Sequence, residues 1–197
     1  MNTTARRALR AKLLEQRRAL SPAEQHSGAI AVGPLVSNVI SEKCNGRAGV
    51  VAAYLAYGGE ISPEHAVREL DAEGWSVVLP VCGSDGHMEF CPWEPGTELV
   101  ENRYGIGEPT TDPVDVEVID AVIVPGVGFD REGNRIGHGV GFYDRFFDRC
   151  AQQLHHPYRL GLGYDFQIVD LPAPEPWDIP MKSVVSPSEV IDTTPCE

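Results

Sequence analysis

Polar and apolar positions along this chain keep changing period. Residues 4–20 place Leu9, Leu13 and Leu20 on one helical stripe and Arg6, Arg10 and Arg17 on the adjoining one, which predicts an amphipathic helix. Ser21-Pro22-Ala23-Glu24 then supplies an N-cap, a first-turn proline and a capping-box glutamate, so a second helix follows to about residue 42. "GVVAAYLAY" (49–57) is a continuous apolar run of strand length, consistent with a strand buried on both faces. Ser62-Pro63-Glu64 repeats the helix-start signal for a helix over 63–73. "WSVVLPV" reads as the next strand, and Asp85-Gly86 as a hairpin turn into "HMEFCPW". "DAVIVPG" (120–126) is another buried strand, followed by a glycine-rich loop and a helix over 142–154. Phe142, Phe146, Phe147, Cys150 and Leu154 are expected to form that helix's buried face. "YRLGLGY" and "SVVSP" read as short closing strands.

Strands alternating with helices predict an α/β fold: a three-layer α/β/α sandwich around a mostly parallel sheet. The 197 residues suffice for one well-buried domain, expected to span 1–197, with neither repeats nor a long linker. In such sheets ligands gather at the carboxyl ends of strands. "RIGHGVGFYDR" (135–145) occupies such a place, leaving a strand and opening a helix. Its alternate glycines suit neither helix nor strand interior, but they let a ligand approach backbone N–H groups beside a helix N-terminus. Taken alone the pattern also fits a tight turn. It is neither a Walker A loop, which needs Gly-Lys-Ser/Thr, nor GxGxxG.

Charge sharpens the picture. The net charge is -13, yet residues 1–18 hold six cations against Glu15 alone, so that segment carries +5 and the remainder -18. A chain this acidic repels nucleic acid, and an anion would need a local cationic patch. A solvated helix face is the default reading of the arginine stripe, yet charge segregated to one short element of an acidic chain also suits a phosphate clamp. No apolar run reaches membrane-span length, so no membrane partner is expected. The five cysteines (44, 82, 91, 150 and 196) form no CxxC pair, which argues for a reducing cytoplasm. The Arg-rich opening has a presequence-like composition, but it belongs to the motif set given below.

Single residues have two readings each. Asp144, in a helix's first turn, either complements the dipole or offers a carboxylate to a phosphate-bound Mg²⁺. Asp178 in "WDIPM" is a turn residue or a second such carboxylate. Glu60 leaves a strand through Gly58-Gly59 and is either solvated or an acceptor for an amino-substituted ring. Tyr104 packs or stacks. Arg135 has the geometry for bidentate phosphate contact. The histidines form no HxxxH or HExxH, and no GxSxG elbow marks a nucleophilic serine.

Taken in order, these pieces resemble the 5-formyltetrahydrofolate cyclo-ligase family, also called 5,10-methenyltetrahydrofolate synthetases. The strongest is "VPGVGFDREGNRIGHGVGFYDR", supported by "RRALR", "YLAYGGEI", "LPV", "NRYGIGEP", "GLGYDFQ" and "WDIPMKSVVSP". The resemblance implies cyclisation of 5-formyltetrahydrofolate to 5,10-methenyltetrahydrofolate with ATP and Mg²⁺, and small-molecule partners only; a monomer is expected. It places ATP contacts on Arg6, Arg7, Ala8, Leu9 and Arg10, and on Arg135, Ile136, Gly137, His138, Gly139, Val140, Gly141, Phe142 and Tyr143. Folate contacts fall on Arg10, Leu55, Glu60, Tyr104 and the loop from His138 to Phe142; Mg²⁺ contacts fall on Asp144 and Asp178. Arg10 and Arg145 take catalytic, charge-orienting roles. Arg6 stands where lysine is common, and Val140 where glycine or lysine is usual, a strained choice if positive φ is required there. Those departures keep open a non-catalytic folate-binding relative, or an ATP-dependent enzyme for another substrate.

Overall fold

The computed structural model describes residues 2–83 and 86–193. Asp85 of the expected hairpin turn and Cys196 lie outside the described residues. Helices α1 (Asn2–Ala19) and α2 (Pro22–Lys43) are joined at Ser21, whose hydroxyl accepts from the Glu24 amide while the Glu24 carboxylate accepts back from the Ser21 amide. The expected capping box therefore forms. Strand β1 (Val50–Ala52), helix α3 (Glu64–Ala72), β2 (Ser76–Cys82) and β3 (Met88–Trp93) follow. A small hairpin of β4 (Leu99–Glu101) and β5 (Gly107–Pro109) precedes β6 (Ala121–Pro125). A two-residue ribbon, β7 (Gly128–Phe129) with β8 (Arg135–Ile136), leads to α4 (Phe142–Gln152), β9 (Tyr158–Leu162), β10 (Ser183–Val185) and β11 (Val190–Asp192).

Seven strands form one sheet in the order β11-β10-β9-β6-β1-β2-β3. The inner pairings are parallel, and only the edge strands β11 and β3 run antiparallel. Alternation along the strands sorts the core into two layers. Val51, Val77, Leu79, Ile123, Leu160 and Leu162 face α2 and α3. Ala52, Val78, Val122, Val124 and Val184 face Phe146, Phe147 and Cys150 of α4. The sandwich is thus three-layered as expected. Helix α1 belongs to neither layer; Leu13 packs with Val127 and Ile136 in a separate cluster.

Two expectations are corrected. The strand predicted over 49–57 ends at Ala52, because the chain peels away and is held by the Tyr54 hydroxyl donating to the Ile61 carbonyl at 2.6 Å. Leu154 does not join the buried face of α4. It adopts a left-handed conformation (φ 57°) that terminates the helix and leaves it 89% exposed.

Phe129 explains three glycines. A Cβ on Gly126, Gly161 or Gly163 would lie 2.5, 2.6 or 3.1 Å from its ring, inside van der Waals contact. The ring is fully buried and seats the β7–β8 ribbon against the sheet. Because glycines have no side chain to close the gap, Phe129→Ala is expected to destabilise the fold by about 3–5 kcal/mol. A lowered denaturant midpoint at unchanged slope in equilibrium unfolding checks this.

Candidate functional site

A cavity of about 1200 Å³ opens at the carboxyl ends of β1, β2 and β6, where a parallel sheet collects ligands. Arg6, Arg7 and Arg10 of α1 form one wall, and Leu55 and Glu60 of the β1 exit another. Residues 137–145 and the loop 175–179 complete it, with Tyr104 of the β4–β5 turn on the rim. Most of the residues singled out by sequence thus share one space. Ala8, Leu9 and Ile136 do not line it: Ala8 faces solvent, Leu9 packs beside Leu13, and Ile136 is buried in that same cluster.

The glycine loop has the geometry of a cradle at a helix start. Its positive φ values fall on Gly139 (94°) and Gly141 (76°), conformations that favour glycine. Val140 between them has no positive φ, so the anticipated strain is absent. Gly141 is the N-cap of α4 and supplies no side-chain cap. The first-turn amides of that helix, lacking intrahelical partners, are left for a ligand or water.

Charges around the cradle are matched in pairs. Arg135 Nη2 donates to both oxygens of Asp144 at 3.1 Å, and Arg6 Nη2 donates to Asp178 Oδ2 at 2.7 Å. Asp178 Oδ2 also accepts from the Glu175 amide at 2.9 Å. Arg10 Nε donates to the Gly137 carbonyl at 2.8 Å, tying α1 to the loop. Buried Arg135 Nε has no hydrogen-bond partner among the described residues. Arg145 sends Nε and Nη2 to the Gly86 carbonyl at 3.0 and 2.9 Å and lies 5.6 Å over the Phe142 ring. Among the described residues no group of three or more His, Cys, Asp or Glu gathers to hold a metal unaided.

The arginine stripe divides. Arg6 and Arg10 reach the cavity, whereas Arg17 lies behind the wall, 2% exposed, with Glu60 Oε1 3.6 Å from its Nη1. Burial pushes its guanidinium below the ordinary arginine value, and Glu60 pulls it back up. Arginine remains charged throughout the physiological range.

Other wall residues, several of them inside the quoted motifs, had no role assigned from sequence. Glu108 Oε1 accepts from the Cys82 amide at 2.9 Å and from Asn102 Nδ2 at 2.8 Å, while Asn102 Oδ1 accepts from the Tyr104 amide at 2.8 Å. This network shapes the turn that presents Tyr104; in sequence it lies inside "NRYGIGEP", with the Asn-x-x-Gly spacing of 102–105 as its turn signal. Trp177, 68% exposed beside Asp178, stands at the mouth. Cys82 also lines the cavity, but burial raises its thiol to about 11, so it stays protonated and non-nucleophilic near neutral pH. Burial likewise pushes the Tyr143 phenol up, leaving a neutral hydrogen-bonding group on the wall.

Comparison with known proteins agrees with this geometry. A model described as the 5-formyltetrahydrofolate cyclo-ligase family matches residues 2–187. The 5-formyltetrahydrofolate cyclo-ligase of Escherichia coli (strain K12) is 35% identical over 181 residues, covering 89% of this chain and 97% of that protein. The protein of the same name from Mycolicibacterium smegmatis is 30% identical over 199 residues, covering 97% and 98%. The solved structure of Aquifex aeolicus 5,10-methenyltetrahydrofolate synthetase superposes with a TM-score of 0.77 at 27% identity, covering 98% of this chain and 94% of that one. With the ordered motifs, the sheet and the cavity in agreement, the chain belongs to the 5-formyltetrahydrofolate cyclo-ligase family.

Proposed function

We propose that this protein cyclises 5-formyltetrahydrofolate to 5,10-methenyltetrahydrofolate, with ATP and Mg²⁺ and release of ADP and phosphate. One observation carries the reading: a single cavity joins the cationic face of α1, an uncapped helix N-terminus behind a glycine loop, two carboxylates, and Glu60 with Tyr104. The first three suit a polyphosphate and its metal. The last two suit a ring bearing hydrogen-bond donors.

The chemistry asks for positioning more than for a protein nucleophile. A formyl oxygen is a poor leaving group. Its attack on the γ-phosphorus of ATP makes a phosphate ester and expels ADP; N10 then adds to the activated carbon, its proton passes to water or the phosphate, and the C–O bond breaks as phosphate departs. Arg10, bonded to Gly137, anchors the cradle against α1 and offers its charge to the phosphates. Arg145 fixes the start of α4 relative to the Gly86 loop. Neutral Cys82 agrees with a route that has no covalent enzyme intermediate.

The metal fits the residues present. Asp144 and Asp178 are oxygen donors on the same cavity, and both hydrogen bonds to Asp178 fall on Oδ2. Mg²⁺ commonly takes one or two carboxylates and completes its shell with phosphates and water. When bound, it supplies charge neutralisation for phosphoryl transfer. Asp144 and Asp178 would hold the metal, and their present partners Arg135 and Arg6 would then be available to phosphate. We further propose that residues 1–197 work as one unit, as a cytoplasmic monomer with small-molecule partners. Val140 removes one reason to suspect a non-catalytic relative, since its backbone is not at positive φ.

Purified protein with 5-formyltetrahydrofolate, ATP and Mg²⁺ is expected to develop the absorbance of the methenyl product. Omitting nucleotide or chelating the metal abolishes it, and no signal from folded, Mg²⁺-supplied protein rejects the reading. Asp144→Asn retains an acceptor for Arg135, so its melting temperature stays near wild type while turnover at saturating Mg²⁺ falls about a hundredfold. Undiminished turnover would remove Asp144 from the metal site. Arg10→Ala is expected to weaken ligand binding by about tenfold, read as KM for both substrates; two unchanged values would contradict its role.

A further inference from the structure

Arg17 takes no part in the steps above, yet it is among the most buried charged residues in the described chain, 2% exposed. A charge so far from water has to be paired on several sides. Its Nε donates to the Gly58 carbonyl at 3.1 Å, and Nη1 reaches the Gly126 carbonyl at 3.5 Å and Glu60 Oε1 at 3.6 Å. Nη2 lies 3.3 Å from His138 Nε2. The segments leaving β1, β6 and β8 therefore meet on one planar guanidinium.

The backbone is shaped for this approach. Gly58 and Gly59 both have positive φ (58° and 78°). A Cβ on Gly59 would lie 3.2 Å from the Arg17 carbonyl oxygen and 3.5 Å from its Cγ. Both glycines before Glu60 turn the chain, and Gly59 also makes room for Arg17.

Arginine only donates, so its contact with His138 requires a bare lone pair on Nε2 and places the ring proton on Nδ1. Glu60 Oε1 lies 3.6 Å from the same Nε2, and that nitrogen cannot serve both. The shorter contact, to Arg17, decides the tautomer. Glu60 then stays an acceptor, held by Arg17 and by the Tyr57 amide, which donates to its other oxygen at 3.2 Å.

We propose that Arg17 is a positioning residue that holds Glu60 and His138, both on the cavity wall, in the arrangement that receives the folate, and that it has no part in holding ATP. This rests on the folate reading of the cavity given above.

The test compares wild type with Arg17→Met, which keeps much of the apolar stem, and Arg17→Lys, which keeps the charge but cannot span the same carbonyls. Expected for Arg17→Met is a rise of about ten- to a hundredfold in both the calorimetric Kd and the KM for 5-formyltetrahydrofolate, against less than about twofold in KM for ATP. Arg17→Lys should recover part of the folate affinity. Nitrogen NMR of the histidine rings, with His138 assigned by substitution, should show an unprotonated Nε2 in the ligand-free wild type and an altered signature in both variants. Wild-type folate affinity in Arg17→Met, an equal loss for ATP, or a protonated Nε2 in wild type overturns the proposal. If Arg17→Met does not fold, Arg17→Lys and the wild-type spectrum still decide it. Failure of the wild type to bind 5-formyltetrahydrofolate would reject the substrate reading alone, because the ring spectrum reports Arg17 independently.

Discussion

The contact of one aromatic ring with three bare backbones fixes most of what matters in this molecule. Phe129 lies where Gly126, Gly161 and Gly163 leave no Cβ in the way, so the end of β6 and the end of β9 close on it from neighbouring strands. That seat sets the β7–β8 ribbon, and the ribbon aims the loop that carries Gly137, Gly139 and Gly141 into the cavity. Gly126, Gly161 and Gly163 thus serve packing, whereas Gly137, Gly139 and Gly141 line the cavity. Steric overlap with the close-packed ring is what makes the first group intolerant of any side chain.

Electrostatics then solves a problem posed by composition. A chain of net charge -13 gathers several of its few cations around one cavity. Cations are concentrated on α1, and the cavity pairs Arg6 with Asp178 and Arg135 with Asp144. Each pair is self-neutral before ligands arrive, which limits the cost of holding arginines in a partly buried place.

Much of this was legible in sequence. Helix starts at Ser21 and the central strands were readable because capping chemistry and apolar runs are local signals. The place of the glycine loop, between a strand and a helix and on the cavity, was readable for the same reason. What escaped was set by tertiary geometry. The early end of β1 depends on the Tyr54 hydroxyl finding Ile61, and Leu154 leaves the core through a left-handed turn that its residue type does not announce. Arg17 looked like one more member of a basic stripe, since nothing local distinguishes a buried arginine from a solvated one. The short hairpins β4–β5 and β7–β8 are too brief to show alternation.

The borders of the sheet have their own implication. At one side β11 is only three residues long, with Asp192 engaged by Lys43 at 2.6 Å. At the other, β3 contains Pro92, and its outer backbone is occupied: the Val114 amide donates to the Phe90 carbonyl at 2.8 Å and the Thr111 hydroxyl to the Pro92 carbonyl at 3.1 Å. Neither rim therefore offers a long, bare ladder for a foreign strand. An α/β protein with so apolar a centre is in this way guarded against edge-to-edge self-association, the route by which folded sheets most readily seed aggregates.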